Sequence, residues 1–215
     1  MIPLQFLVLL LKAAGTTIWI SWLALLMAGI AGGIVGIARG SRFRVLRLLA
    51  LVYTEAFRSV PMIVLMFFAY FGLPLLLGLD LPPLAAATIA LALVGSALMA
   101  EVVRAGIASV GGGQWDAGRA VGLGDRLIMR LVVWPQALRV MLPPSVGVYV
   151  AILKDSSVAS VIGYVELTKT GLLIRDSIGH GFEVLAAVAL IYFAINYAIS
   201  LGGRALERRY RIAGH

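Results

Sequence analysis

The sequence predicts an all-α membrane protein with about five transmembrane helices and one short helix in a cytoplasmic loop. Three observations lead there. Of its 215 residues 61% are hydrophobic and only 13% charged, with a mean hydropathy of +1.01, whereas soluble domains run at about 45–50% apolar and about 25% charged. Apolar runs of the ~20 residues needed to cross ~30 Å of hydrocarbon recur along the chain. The basic residues flank these runs, which is the pattern of a bilayer protein whose cytoplasmic loops keep Lys and Arg.

The same composition narrows the function classes. A net charge of +8 suits either nucleic acid or an anionic membrane surface, and the placement of the 18 basic residues beside apolar runs selects membrane lipid over nucleic acid. The absence of Cys removes disulfides, thiolate catalysis and Cys-ligated metal. The opening MIPLQFLVLLLK has no basic stretch before its apolar run and no convincing A-x-A site after it, so it is read as mature sequence. No Pro/Ser/Gly-rich linker divides the chain, and residues 1–215 are read as a single membrane domain.

The first span is placed at Thr17 to Ala38, where Gly29, Gly32, Gly33 and Gly36 give small-xxx-small spacing for close approach of another helix. The second is Ser59 to Leu79. The third, Leu84 to Val103, follows Asp80 and the Pro82-Pro83 turn and carries Ser96, with Glu101 and Arg104 near its end. The last is Phe182 to Leu201. Between them Leu127 to Ile174 is mostly apolar but interrupted by Pro135, Pro143-Pro144 and Lys154-Asp155. If its span starts near Leu131, Lys154 falls at the outer end. If Pro143 occupies the first turn, Lys154 and Asp155 fall near mid-bilayer, and Ser156 to Gly181 becomes a partial or re-entrant segment.

Direction follows from the arginines. Arg39, Arg42, Arg44 and Arg47 lie between the first two spans, Arg119, Arg126 and Arg130 between the third and fourth, and Arg204, Arg208, Arg209 and Arg211 after the fifth. The positive-inside rule then puts the N-terminus outside and the C-terminus in the cytoplasm. No inverted repeat of the kind found in many secondary transporters is visible.

The one long polar break, Ala105 to Arg130, is the most informative segment. Gly111-Gly112-Gly113 breaks the incoming helix, and Gly122 and Gly124 end a short one over Gln114 to Val121. Ala117, Gly118, Ala120 and Val121 make its surface small, Asp116 and Arg119 stand at i,i+3, and Trp115 offers a large anchor. Two readings fit these residues: an interfacial helix with Trp at the headgroups, or a helix that enters a partner's groove.

These residues carry a resemblance. GQWDAGRAVGLGDRLIMRLVVWPQALRVMLPP, Gly113 to Pro144, resembles the cytoplasmic EAA loop of binding-protein-dependent ABC importer permeases, with Asp116, Ala117 and Gly118 in the E-A-A places and Arg119, Ala120 and Gly122 following. FRSVPMIVLMFFAYFGLP, AEVVRAGIASVGGGQW, LKDSSVASVIGYVEL and the final LERRYR are similar to the polar amino-acid (His/Glu/Gln/Arg/opine) permeases, so the resemblance runs from about residue 15 to 211. Asp for Glu at 116 keeps the charge but shortens its reach, and Gly118 for Ala weakens the helix by about 1 kcal/mol.

The resemblance implies a type I importer permease fold, with Gln114, Trp115, Asp116, Ala117, Gly118, Arg119, Ala120 and Gly122 coupling the spans to an ATPase dimer. It implies a second permease chain, identical or related, an extracytoplasmic substrate-binding protein, and an amino-acid cargo in the bacterial inner membrane. The chain has no G-x-x-x-x-G-K-[ST], so ATP and Mg are expected on the partner subunit and no cofactor or metal on this one. Charges inside a bilayer cost ~2.5–3.5 kcal/mol on insertion scales and are functional candidates by default. The solute-binding candidates are Lys154, Asp155, Ser156 and Ser157, with Ser96 and Glu101 from the third span. A snorkelled Lys154 with a helix cap is the plainer reading of the first group, and an internal pair with Arg104 that of Glu101. Glu55 and Arg58 read as a further pair, and His180 has no partner at metal spacing. Alternatives are an ATP-independent secondary transporter or channel, and an ABC permease for another small solute such as a phosphonate or sugar. A membrane enzyme would need a set such as H-E-x-x-H, which is absent.

Overall fold

The computed structural model describes residues 3–210; Arg211, expected to anchor the C-terminal end, lies outside them. The first helix, α1 (Leu4–Arg39), starts well before Thr17. Its added turns are held by burial: Leu10, Ala13 and Ala14 pack with Leu167, Ile174, Val184 and Val188 from the C-terminal part of the chain. Hydropathy alone does not place that start, because Lys12 and the Thr16-Thr17 pair interrupt the apolar run, and the buried Thr17 meets Glu166 and Leu167, which the sequence does not show.

Small residues bring α1 onto α5 (Pro83–Ala108). A Cβ at Gly32 would come within 2.6 Å of the Ser96 carbonyl oxygen, and one at Gly36 within 2.7 Å of the Ala100 carbonyl oxygen. Only glycine allows this backbone approach. Gly29 and Gly33 have open space around their Cα, so half of the glycine stripe makes the interface. Because Ala28 meets Gly95 and Gly36 meets Val103, the two helices run parallel.

The second span is broken rather than continuous over Ser59–Leu79. It consists of α2 (Arg44–Ser59) and then α3 (Met62–Phe67), a π-helical turn at Phe68–Gly72 and α4 (Leu73–Leu77). The two halves meet at 103°. Pro61 is the cause: it has no N–H to continue the helix and holds Val60 extended, at φ −85° and ψ 130°. Among the described residues four helices are long and apolar enough to cross a membrane, and the bent pair makes five.

After α5 come the short α6 (Gly112–Ala120) and α7 (Asp125–Ile128), then a π-helical turn into α8 (Trp134–Asp155). Pro143 and Pro144 lie inside α8, so Pro143 does not start the span; the Arg139 and Val140 carbonyls lose their helical amide partners and the helix continues. A 3-10 segment, Ser156–Ile162, leads to Gly163 at φ 83° and to α9 (Leu167–Ile178), the partial segment, followed by α10 (Gly181–Tyr210). Gly106 sits on Met141 and Gly95 on Ile152, which makes α8 antiparallel to α5, while Gly203 sits on Val146 and Tyr192 lines a cavity with Lys154, so α10 is antiparallel to α8 and has the direction of α1 and α5. Arg39, Arg104, Arg126, Arg130, Arg204 and Arg208 therefore gather toward one end of the bundle, the basic end.

Candidate functional site

The polar break folds as a short helix close to where the sequence places one, but it runs from Gly112 to Ala120, so Gly112 and Gly113 belong to the helix and Gly111 alone precedes it. Gly111 extends the chain at φ −56° and ψ 149°, α6 follows, and Gly122 ends it with φ 82°, the left-handed conformation that favours glycine. Its faces differ sharply. Trp115 is half-buried and packs on this chain's own core, so the aromatic anchor is used internally. Gly118 is buried against Ile128, whose Cγ1 would lie 2.7 Å from a Cβ there. That contact explains glycine in place of alanine: the helix loses some intrinsic stability and gains a close seat on α7. Gln114, Asp116, Ala117, Arg119, Ala120 and Gly122 remain exposed, giving a small, charged outer surface. Arg119 bridges Asp116 at 3.5 Å and Asp125 at 3.2 Å. The second partner, six residues on, pins the loop after α6.

The six solute-binding candidates do not share one place. Ser96 is buried, donating to the Leu93 carbonyl at 2.8 Å and lying 2.6 Å from the Tyr53 hydroxyl, where it joins α2 to α5. Glu101 stands at the basic end between Arg39 at 2.6 Å and Arg104 at 2.9 Å. The expected pair with Arg104 is thus a triad across α1 and α5. Ser156 is buried and donates to the Leu153 carbonyl at 2.7 Å. Asp155 is half-buried beside it.

Lys154 and Ser157 line a cavity of about 400 Å³ between α8 and α10, with Val150, Tyr192, Phe193, Asn196, Tyr197 and Ser200. Its depth follows from packing. Ile152, two residues before Lys154, touches Gly95, the thirteenth of the 26 residues of α5. Lys154 therefore lies at mid-height of the bundle, although α8 starts near Leu131 as in the framing that would put it at the outer end. The helix reaches only mid-height because it starts beyond the end of α5.

The sequence reading missed the α10 wall. Tyr192, Asn196 and Ser200 recur every four residues, a polar stripe on one face of an apolar span, and that spacing is the signal that could have found it. It also missed Glu166, which is fully buried and caps α9 by accepting from the Thr168 and Lys169 amides at 2.9 and 2.8 Å. Tyr192 donates to it at 2.8 Å and Thr17 at 3.4 Å. One carboxylate thus ties α1, α9 and α10 together and fixes the Tyr192 ring in the cavity wall. Its place in the sequence, just before a helix, is that of a cap, but nothing local shows that it is buried. Glu55 and Arg58 pair at 3.6 Å and His180 lies 3.3 Å from Glu183. Among the described residues no group of His, Asp and Glu has metal-site spacing.

Residues 29–212 match the family model of the binding-protein-dependent transport system inner membrane component. The chain is 36% identical to the glutamine transport system permease protein of Escherichia coli K12, over 95% of this chain and 94% of that one. It is also 36% identical to a probable glutamine ABC transporter permease of Bacillus subtilis, over 90% and 89%. Among solved structures, an amino acid ABC transporter crystallised with histidines superposes with a TM-score of 0.87 at 32% identity, covering 94% of both chains. The MetNI methionine transporter shares the fold at a TM-score of 0.84 and 20% identity. With a five-span fold broken at Pro61, an exposed small-residue helix at 112–120 and relatives matched nearly end to end, this chain belongs to the binding-protein-dependent inner membrane components, the permease subunits of ABC importers.

Proposed function

We propose that the chain forms one half of the translocation pathway for a polar or basic amino acid, and that the cavity between α8 and α10 receives the solute. The observation that carries this reading is the mid-height position of Lys154 in a cavity whose other polar groups are Ser157, Tyr192, Asn196, Tyr197 and Ser200. An ammonium held at that depth is matched to a solute carboxylate by a charge-assisted hydrogen bond. On the facing helix the Asn196 amide donates to the Tyr192 carbonyl, while its buried Oδ1 has no hydrogen-bond partner among the described residues. That acceptor suits the ammonium of the same zwitterion. The glutamine permeases among the relatives support a polar cargo.

The exposed face of α6, with Gln114, Asp116, Ala117, Arg119, Ala120 and Gly122, docks on a separate ATPase subunit that holds ATP and Mg. Trp115 and Gly118 hold that helix to its own chain. The cavity is open on one side, which fits closure by a second permease chain. The basic end faces the cytoplasm and the N-terminus the outside, where a binding protein delivers the solute. In proteoliposomes carrying the permease, its ATPase and its binding protein, uptake of labelled glutamine or another polar amino acid should require ATP. Uptake that continues without ATP or without the ATPase would overturn this reading in favour of a secondary transporter.

A further inference from the structure

A second cavity, of about 390 Å³, opens at the basic end between α2 and α5 and is lined by Arg39, Arg44, Arg47, Arg104, Leu48 and Leu51. Four guanidinium groups meet there with one carboxylate. Arg39 and Arg104 share Glu101 and Arg39 also donates to Thr54, whereas Arg44 and Arg47 have no carboxylate partner among the described residues and are exposed. Two of the four charges thus share one counter-ion and the other two have none.

The local backbone adds to the imbalance. Arg44 and Arg47 occupy the first turn of α2, which has no acidic residue and no side-chain cap. A helix start carries about half a positive charge and favours anions, so arginines there oppose the dipole unless an anion joins them. The rest of the lining is aliphatic. Leu48 and Leu51 belong to a surface that continues through the exposed Leu46, Leu49 and Val52. A cationic mouth above an apolar wall, at the end of spanning helices, matches the headgroup boundary of a bilayer, where basic pockets between helices bind anionic headgroups.

We infer that this cavity is a site for an anionic phospholipid, whose phosphodiester is held by Arg44, Arg47 and Arg104 and whose acyl chain lies along Leu48 and Leu51. Arg39, fixed by Glu101 and Thr54, positions the rim. Neither the amino-acid pathway nor the ATPase-docking helix uses these residues.

The full-length chain, extracted from nanodiscs of equal dioleoylphosphatidylglycerol and dioleoylphosphatidylcholine, can be read by native mass spectrometry for retained lipid. Wild type should retain phosphatidylglycerol over phosphatidylcholine, and R44Q/R47Q should lower that ratio about tenfold or more. The control R204Q/R208Q, at the same end on α10, should leave it unchanged. Equal retention of the two lipids by wild type would overturn the proposal whether or not the variant folds, and so would an equal loss in the control, which would indicate diffuse surface charge. Displacement of the lipid by millimolar inorganic phosphate would assign the pocket to a soluble phosphate instead and overturn the lipid assignment.

Discussion

Ile152 of α8 rests its Cδ1 where a side chain at Gly95 of α5 would begin, 2.7 Å from an ideal Cβ position. This contact sets the depth at which α8 gives way to a 3-10 segment, and so places the exposed Lys154 at mid-height, on the α8–α10 cavity. It links a packing feature, one glycine, to the charge that the transport reading needs.

Lys154 should therefore act in solute recognition. Lys154→Met is expected to raise the KM for uptake about tenfold or more, the worth of a charge-assisted hydrogen bond, with insertion unchanged. Asn196→Leu, which removes the unpaired acceptor but keeps the volume, should also raise KM. Uptake kinetics in proteoliposomes check both, and unchanged KM in both variants would return Lys154 to a structural role.

Asp155→Asn separates neighbouring residues. Asp155 does not line the α8–α10 cavity, so its effect on KM should be smaller than that of Lys154→Met. A larger effect would move the solute site to the other face of α8.

The exposed face of α6, which the proposed function assigns to docking, can be altered without touching its seat. The Asp116 side chain is 77% exposed and its bridge to Arg119 is long, so Asp116→Lys should leave the fold intact while abolishing ATP-dependent uptake and co-purification of the ATPase. Gly122→Trp forces a bulky residue into a positive φ and should do the same through the helix end. An ATPase that still co-purifies with both variants would remove α6 from the coupling interface.

Glycine at the α1–α5 contact should govern stability rather than transport. Gly36→Ala meets the Ala100 carbonyl oxygen and the Val103 Cβ, which are backbone and a branched carbon that cannot rotate away. The expected cost is about 1–3 kcal/mol, read as a lower midpoint of thermal aggregation in detergent. Gly33→Ala, with open space at that position, should be neutral.

The buried carboxylate of Glu166 has four donors. Tyr192→Phe removes one and should cost about 1–3 kcal/mol, whereas Glu166→Ala leaves the two α9 amides without their acceptor and also takes one partner from the Thr17 and Tyr192 hydroxyls, which keep the Ala13 carbonyl and the Thr168 hydroxyl, and should be markedly worse. Thermal midpoints of the two variants test the order.

The sequence by itself determined the fold class, the membrane setting and the short helix of the polar break. Apolar runs, flanking arginines and the glycines around Gln114 to Val121 are local properties, each readable from residues a few positions apart. Its polar residues could be found but not assigned. Ser96, Glu101 and Lys154 are all polar groups on or near apolar spans, yet Ser96 joins Tyr53, Glu101 joins Arg39 and Arg104, and only Lys154 reaches a cavity. Only the tertiary structure decided these roles, because Tyr53, Arg39 and the α10 wall of the cavity lie on other helices, and only Arg104, three residues from Glu101, was legible locally. The bend at Pro61 and the end of α8 at mid-height were decided in the same way: proline permits a break, but its angle and depth depend on neighbouring helices.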